Sequence, residues 1–160
     1  MEGIDTSAVL HVGIVVHSLD TAVNAWEEFL GVGPASVGVT STSEDEYNGT
    51  STSAGLKQAI FDVGAFKIEL MEPVDGPSIW ASDLNARGEG LHHIAFRVHG
   101  MDDGIGSCEV LGMPLIQRGE FEKGRYAYLG SEGAGTVIEL LEFDPGHAEF
   151  VPESDGDAGA

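Results

Sequence analysis

The sequence predicts an α+β fold of two tandem βαβββ modules, and three observations carry that expectation. First, the chain repeats itself: "HVGIVVHSLDTAVNAWEEFLGV" from residue 11 lies under "HIAFRVHGMDDGIGSCEVLGM" from residue 93. Second, each copy closes on a matching stretch, "KIELMEP" at 67–73 and "VIELLEF" at 137–143. Third, within each copy the apolar spacing switches between the alternation of a strand and the three-to-four spacing of a helix. In the alignment His11 falls on His93, Val16 on Val98, Asp20 on Asp102 and Glu69 on Glu139. A repeat on this scale marks a duplicated structural unit.

The elements follow in order. "VLHVGIVV" is rich in β-branched residues and reads as a strand. "LDTAVNAWEEFLG" has an early Asp20, apolar residues at 22, 23, 26, 29 and 30, and a closing Gly31, the pattern of a capped helix. Residues 41–55, "STSEDEYNGTSTSAG", hold no apolar run and read as a mobile loop inserted in the first copy. "QAIFDVG" and "FKIELMEP" read as strands about a turn near Gly64. "PSIWASDLNA" predicts a short helix after Pro77. In the second copy "MDDGIGSCEVLG" takes the helix slot, weakened by Gly104 and Gly106. "MPLIQRG", "RYAYLG" and "TVIELLEF" supply its strands. The expected organisation is a first module at 8–74, a linker with a short helix at 75–90, a second module at 91–144 and an acidic, frayed tail at 145–160.

Composition narrows the function classes. With 160 residues the chain is long enough for one sizeable core. Its 27 acidic residues against 7 Lys+Arg give a formal net charge of −20. Such a surface repels phosphate backbones and anionic lipid, so neither nucleic acid nor membrane is expected as a partner. It fits either adaptation to high salt or ordinary solubility with an acidic tail. No apolar run reaches the length of a bilayer span, and no signal peptide is evident. The single cysteine, Cys108, permits no intrachain disulfide, and a cytoplasmic, reducing setting is expected. Cys108 itself reads as a small core residue.

The chemistry lies in the repeat. His11 and Glu69 in the first copy match His93 and Glu139 in the second, each pair on the first and last strand of its module. Taken singly, a histidine in an apolar strand is usually a hydrogen-bonded core residue, and a glutamate in a strand can face water. Recurrence at matching places singles these four out. Two imidazoles and two carboxylates suit one divalent first-row ion, Mn, Co, Ni, Fe or Zn, and leave room for a chelating substrate. The neighbouring histidines of "GLHHIAF" are expected on opposite strand faces, with His93 toward the metal and His92 away from it. Arg118, Lys123 and Arg125 form a basic cluster in an acidic chain. They either bind an anionic substrate group or pair with acids such as Glu120 and Glu122. Tyr126, Tyr128 and Trp80 either line a pocket or fill the core.

Through "LHVGIVV", "KIELMEP", "RGEGLHHIAFRV" and "VIELLEF", the sequence resembles the vicinal oxygen chelate superfamily, also called the glyoxalase/bleomycin resistance/dioxygenase superfamily. The resemblance covers residues 8 to 144 and is strongest to methylmalonyl-CoA epimerases. It implies a cupped mixed sheet around one metal held by His11, Glu69, His93 and Glu139, and a homodimer. Glutamine or glutamate fills the second ligand place in that family. It implies a small-molecule enzyme working through an enolate: an epimerase, isomerase or glyoxalase-type lyase acting on an acyl-CoA, thioester or 2-oxo/2-hydroxy compound. Glu139 then serves as both ligand and catalytic base, with Arg118, Lys123, Arg125 and Tyr128 as candidate substrate contacts. The chain departs from the epimerases before "GLKQAIF", where Ser, Thr and Ala stand in place of a second acid/base. Its nearest acids there are Glu44, Asp45 and Glu46. Two other functions belong to this fold. An extradiol dioxygenase needs two histidines and one carboxylate, and the two carboxylates here argue against it. A non-catalytic binding protein characteristically lacks the ligand quartet.

Overall fold

A computed structural model describes residues 4–5, 9–41 and 45–147. The tail expected from 145 lies outside the described residues from 148 onward, as does Glu44. The first module runs β2 (His11–Val15), α1 (Leu19–Leu30), β3 (Ser36–Ser41), β6 (Gly55–Asp62) and β7 (Lys67–Val74), with a hairpin, β4 (Asp45–Tyr47) and β5 (Thr50–Thr52), between β3 and β6. The second runs β8 (Gly90–Val98), α3 (Met101–Val110), β9 (Leu115–Phe121), β10 (Gly124–Leu129) and β11 (Val137–Phe143). The helix expected after Pro77 is α2 (Ile79–Arg87), and a short β1 (Ile4–Asp5) pairs with β8.

All strands join one mixed sheet in the order β3-β6-β7-β2-β8-β11-β10-β9-β4-β5. The two modules meet at β2 and β8, which run antiparallel, with His11 opposite Ala95 and Gly13 opposite His93. Each module pairs its first and last strands in parallel, β2 with β7 and β8 with β11. This arrangement brings the four strands that carry His11, Glu69, His93 and Glu139 side by side at the centre of the sheet.

Alternation along each strand divides the core between the two sheet faces. One face packs α1 against Ala59, Phe61 and Leu70, and α3 against Val98, Ala127 and Leu140. Gly104 does not break α3. A Cβ at that position would meet Val98 Cγ2, so the missing side chain lets the helix seat closely on the sheet. Cys108, on the same helix, is buried, and burial raises its thiol pKa. The other face holds Val15, Met71, Tyr126, Tyr128 and Leu141, covered by Ile79, Trp80 and Leu84 of α2.

The internal repeat extends to helix capping. Glu72 Oε2 on β7 accepts from the Leu19 backbone N–H at the start of α1, at 2.7 Å. Glu142 Oε1 on β11 accepts from Gly100 and Met101 at the start of α3, at 2.6 and 3.2 Å. The backbone donor of Leu19 and the Lys57 ammonium lower the Glu72 pKa from its ordinary 4.5. Burial works to raise that of Glu142, but Arg125 and the α3 amides outweigh it and lower it. Their stabilisation is therefore present above about pH 4.5 and lost as pH falls through the depressed folded values. Replacing either glutamate with Ala should cost about 0.5–2 kcal/mol at neutral pH and progressively less as pH falls below 4.5, a difference readable by urea unfolding across that acid range.

The stretch 41–55, expected as a mobile loop, is instead structured from 45 to 52. Asn48 and Gly49 both take positive φ, 50° and 75°, which closes a tight β-hairpin. β4 then pairs with β9 of the other module, Glu46 opposite Arg118 and Tyr47 opposite Gln117. The first module thus extends the edge of the second.

Candidate metal centre

His11, Glu69, His93 and Glu139 are all buried and present ligand atoms within 4.8 Å of one another. Glu139 Oε2 lies 2.8 Å from His11 Nε2 and 3.0 Å from His93 Nε2. Glu69 Oε2 lies 3.3 and 3.5 Å from the same two nitrogens, which are themselves 2.9 Å apart. A first-row ion binds such atoms at about 2.1 Å, so neighbouring ligands around it stand about 3.0–3.4 Å apart. The observed spacings match. Despite its short distances, Glu139 Oε2 has no aligned hydrogen-bond donor and sits fully buried. A buried carboxylate oxygen without a donor costs free energy that a cation would relieve. The donor set fits a divalent ion.

Local structure explains each placement. His11 opens β2 and points inward with Gly13 and Val15, as alternation requires. The His93 ring lies over Gly13, where a Cβ would come closer than the 3.0 Å that real Cβ atoms respect. Gly13→Ala should therefore turn His93 out of the cluster and weaken ion binding about tenfold or more, checked by metal content after dialysis against a fixed free-ion concentration. Burial works to raise the Glu139 pKa, but the His93 and His11 charges outweigh it and hold the carboxyl well below its ordinary range. It is ionised at neutral pH, the state in which it can ligate or take a proton.

The two neighbouring histidines do not lie on opposite faces. The β2–β8 register shifts between Gly13 and Ile14: Gly13 faces His93, but Ile14 faces Leu91. His92 is the extra residue of a β-bulge, which breaks the alternation and leaves both histidines 1% exposed on the inner side. His92 Nδ1 lies 3.0 Å from His93 Nδ1, and both rings meet the Tyr128 ring edge-on. Burial, and next to it the His93 charge, lowers the His92 pKa despite Asp83. His92 is therefore neutral at neutral pH.

His11, Glu69 and Glu139 line a cavity of about 520 Å³ whose walls include Leu56, Trp80, Phe121 and Leu141. Of the proposed substrate contacts, Lys123 and Tyr128 line this cavity. Arg118 and Arg125 do not. Arg118 pairs with Glu46 of the hairpin at 3.3 Å, and Arg125 pairs with Glu142 through Nε at 3.0 Å. Tyr126 lines it too, its hydroxyl 3.1 Å from Gln117 Nε2. Burial raises the pKa of both tyrosines, so both stay protonated. Gln117 also accepts from the Ile79 N–H at 2.8 Å, tying α2 to the cavity wall. Asp45, buried on the hairpin, is a further lining residue. Its carboxylate sits over Gly119, which has no side chain to exclude it. The sequence offers Asp45 only as one of three acids, with Glu44 and Glu46, near the place of the missing second acid/base; the signal that sets it on a hairpin was the Asn48-Gly49 turn.

Residues 10–129 match the family described as the Glyoxalase/Bleomycin resistance protein/Dioxygenase superfamily. The chain belongs to this superfamily. A relative in Bacillus subtilis (strain 168), the uncharacterized protein YqjC, is 31% identical over 137 residues, covering 82% of this chain and 89% of that protein. Among solved structures, a methylmalonyl-CoA epimerase from Mycobacterium tuberculosis is similar at 27% identity and a TM-score of 0.63, over 90% of this chain and 95% of that one. A variant of Streptomyces coelicolor methylmalonyl-CoA epimerase in complex with 2-nitronate-propionyl-CoA shares the fold at 22% identity and a TM-score of 0.65, over 87% of this chain and 99% of that one. Members of the superfamily bind small molecules, and its cupped sheet is the one described above. No helix among the described residues is long and apolar enough to cross a membrane.

Proposed function

We propose that this superfamily member is a divalent-metal-dependent enzyme that works through an enolate, as an epimerase, isomerase or glyoxalase-type lyase. Its substrate is a small acyl-CoA, thioester or 2-oxo/2-hydroxy compound. The observation that carries the reading is the buried two-histidine, two-glutamate cluster opening into an apolar-walled cavity. An ion held by His11, Glu69, His93 and Glu139 would polarise a substrate carbonyl and make the adjacent C–H acidic.

The chain's own residues do the rest. Glu139 turns Oε2 toward both imidazoles, which leaves its second oxygen for a proton. It takes that proton from the carbon beside the carbonyl. The C–H pair becomes the enolate, and Glu139 later returns the proton to carbon. Lys123 brings a positive charge to the cavity lining for an anionic substrate group. Trp80 and Leu56 keep water from the reacting carbon. A homodimer belongs to the same proposal. The edge strand β3 leaves Val37 and Val39 63% and 66% exposed, apolar surface that a second copy would cover.

The test is deuterium exchange at the α-carbon of acyl-CoA, hemithioacetal and 2-oxo acid compounds, with Mn²⁺, Co²⁺, Ni²⁺, Fe²⁺ or Zn²⁺ supplied. Exchange in one class is expected. Absence of exchange in all three classes with every ion would overturn the enolate reading.

A further inference from the structure

We propose that His92 and Asp83 form a positioning chain behind the metal centre, one that fixes which nitrogen of His93 faces the ion. The inference rests on the reading of the four-residue cluster as a metal site. His93 turns Nε2 toward the cluster, 3.0 Å from Glu139 Oε2. Its other nitrogen, Nδ1, lies 3.0 Å from His92 Nδ1. The far nitrogen of His92, Nε2, lies 3.3 Å from Asp83 Oδ2 on α2. That last contact is close but poorly aligned for a hydrogen bond. Asp83 is held in turn by Arg87 Nη2 at 2.6 Å, one helical turn along.

Proton bookkeeping admits one arrangement once His93 Nε2 gives its lone pair to a cation. His93 Nδ1 must then carry the hydrogen and donate it, so His92 Nδ1 must accept. A neutral imidazole that accepts at Nδ1 carries its hydrogen at Nε2, the atom that faces the Asp83 carboxylate. Every group in the chain is thereby assigned a role: His93 ligates and donates, His92 accepts at Nδ1 and carries its hydrogen at Nε2, and the Asp83 carboxylate 3.3 Å away favours that hydrogen by its charge. A metal-bound histidine ordinarily anchors its second nitrogen on a carboxylate, carbonyl or water. Here an imidazole takes that place and passes the anchoring on to a carboxylate.

Two structural features make the chain possible. The β-bulge at His92 puts both rings on one side of β8; with regular alternation they would point apart. The linker helix α2 presents Asp83 at the far end, so the segment between the modules becomes part of the site. Tyr128 packs edge-on against both rings, 5.7 Å from His92 and 5.0 Å from His93, and limits their rotation. In the first copy of the repeat Leu10 stands where His92 stands in the second, so the two halves anchor their histidines differently.

The experiment uses the full chain and Zn²⁺ alone. Long-range ¹H–¹⁵N spectra of the Zn²⁺-loaded protein should show His93 protonated at Nδ1 and His92 protonated at Nε2. His92→Phe keeps the ring volume and the packing on Tyr128 but removes the acceptor. Zn²⁺ affinity, measured by chelator competition, should fall about 10–100-fold while far-UV circular dichroism stays that of the parent. Asp83→Asn, at a partly exposed position that places folding at little risk, should weaken Zn²⁺ in the same direction by a smaller factor. Protonation of His92 at Nδ1, or His92→Phe affinity within twofold of the parent, overturns the proposal. Should His92→Phe fail to fold, the tautomers of the parent and the Asp83→Asn affinity decide it. If the parent binds no ion, the metal reading falls and this one with it. If it binds Zn²⁺ but exchanges no substrate proton, only the enolate reading falls.

Discussion

Glu139→Gln should lower α-proton exchange by about 10³–10⁴-fold, whereas Glu69→Gln should keep it within about tenfold. The two carboxylates occupy matching places in the repeat, so repeat symmetry alone predicts equal effects. The geometry breaks that symmetry. Glu139 Oε2 stands 2.8 and 3.0 Å from the two imidazole nitrogens, and Glu69 Oε2 stands 3.3 and 3.5 Å from them. Of the two carboxylates, Glu139 stands closer to both imidazoles and is the better placed to ligate an ion. In the proposed mechanism it also carries the proton, a task an amide cannot perform. An amide oxygen can still ligate, so Gln at 139 should retain part of the ion while losing the exchange. At 69 only ligation is at stake, and the family resemblance places glutamine within the range of that position. Exchange rates measured at saturating ion, with ion content determined on the same samples, check both halves. Equal losses in the two variants would remove Glu139 from the role of base.

The legible part of this protein is what the repeat encodes. His11, Glu69, His93 and Glu139 could be picked out because each occurs twice at matching places, and the parallel pairing of first and last strands brings them together. Three features were not legible, each for a physical reason. The His92 bulge depends on how β8 registers against β2, and register belongs to a strand pair, not to a strand. The hairpin at 45–52 carried its own local signal in Asn48-Gly49, but its polar composition read as a loop. What orders it is pairing with β9, about 70 residues away, as in the Glu46–Arg118 contact. Arg118, Lys123 and Arg125 were grouped by proximity in the chain. In space Lys123 parts from the other two: it alone of the three lines the cavity, while Arg118, paired with Glu46, and Arg125, paired with Glu142, stay near each other on β9 and β10 beside α3. The turn between β9 and β10, which carries Lys123, decides that separation, and proximity in the chain does not show it.

Ion binding should dominate the stability of the folded chain. A ligand that binds only the native state at a thousand times its Kd adds about 4 kcal/mol. For a chain of this size that is a rise in Tm of about 8–16 °C. The metal-free protein has reason to respond strongly. It holds Glu69 and Glu139 at 7% and 4% exposure, in van der Waals reach of the same two imidazoles, with Glu139 Oε2 lacking an aligned donor. An ion would neutralise that buried negative charge and satisfy the orphaned oxygen together. His93→Ala should abolish most of the rise, because it removes one ligand and leaves the carboxylates facing a hole. The rise should also shrink on acidification, since imidazole and carboxylate bind an ion only when deprotonated. Differential scanning calorimetry with and without Mn²⁺, Co²⁺, Ni²⁺, Fe²⁺ or Zn²⁺, followed by chelation to show reversal, measures all three effects. A Tm unchanged by every ion would mean that the cluster's close packing of imidazole and carboxylate is sustained by protons alone.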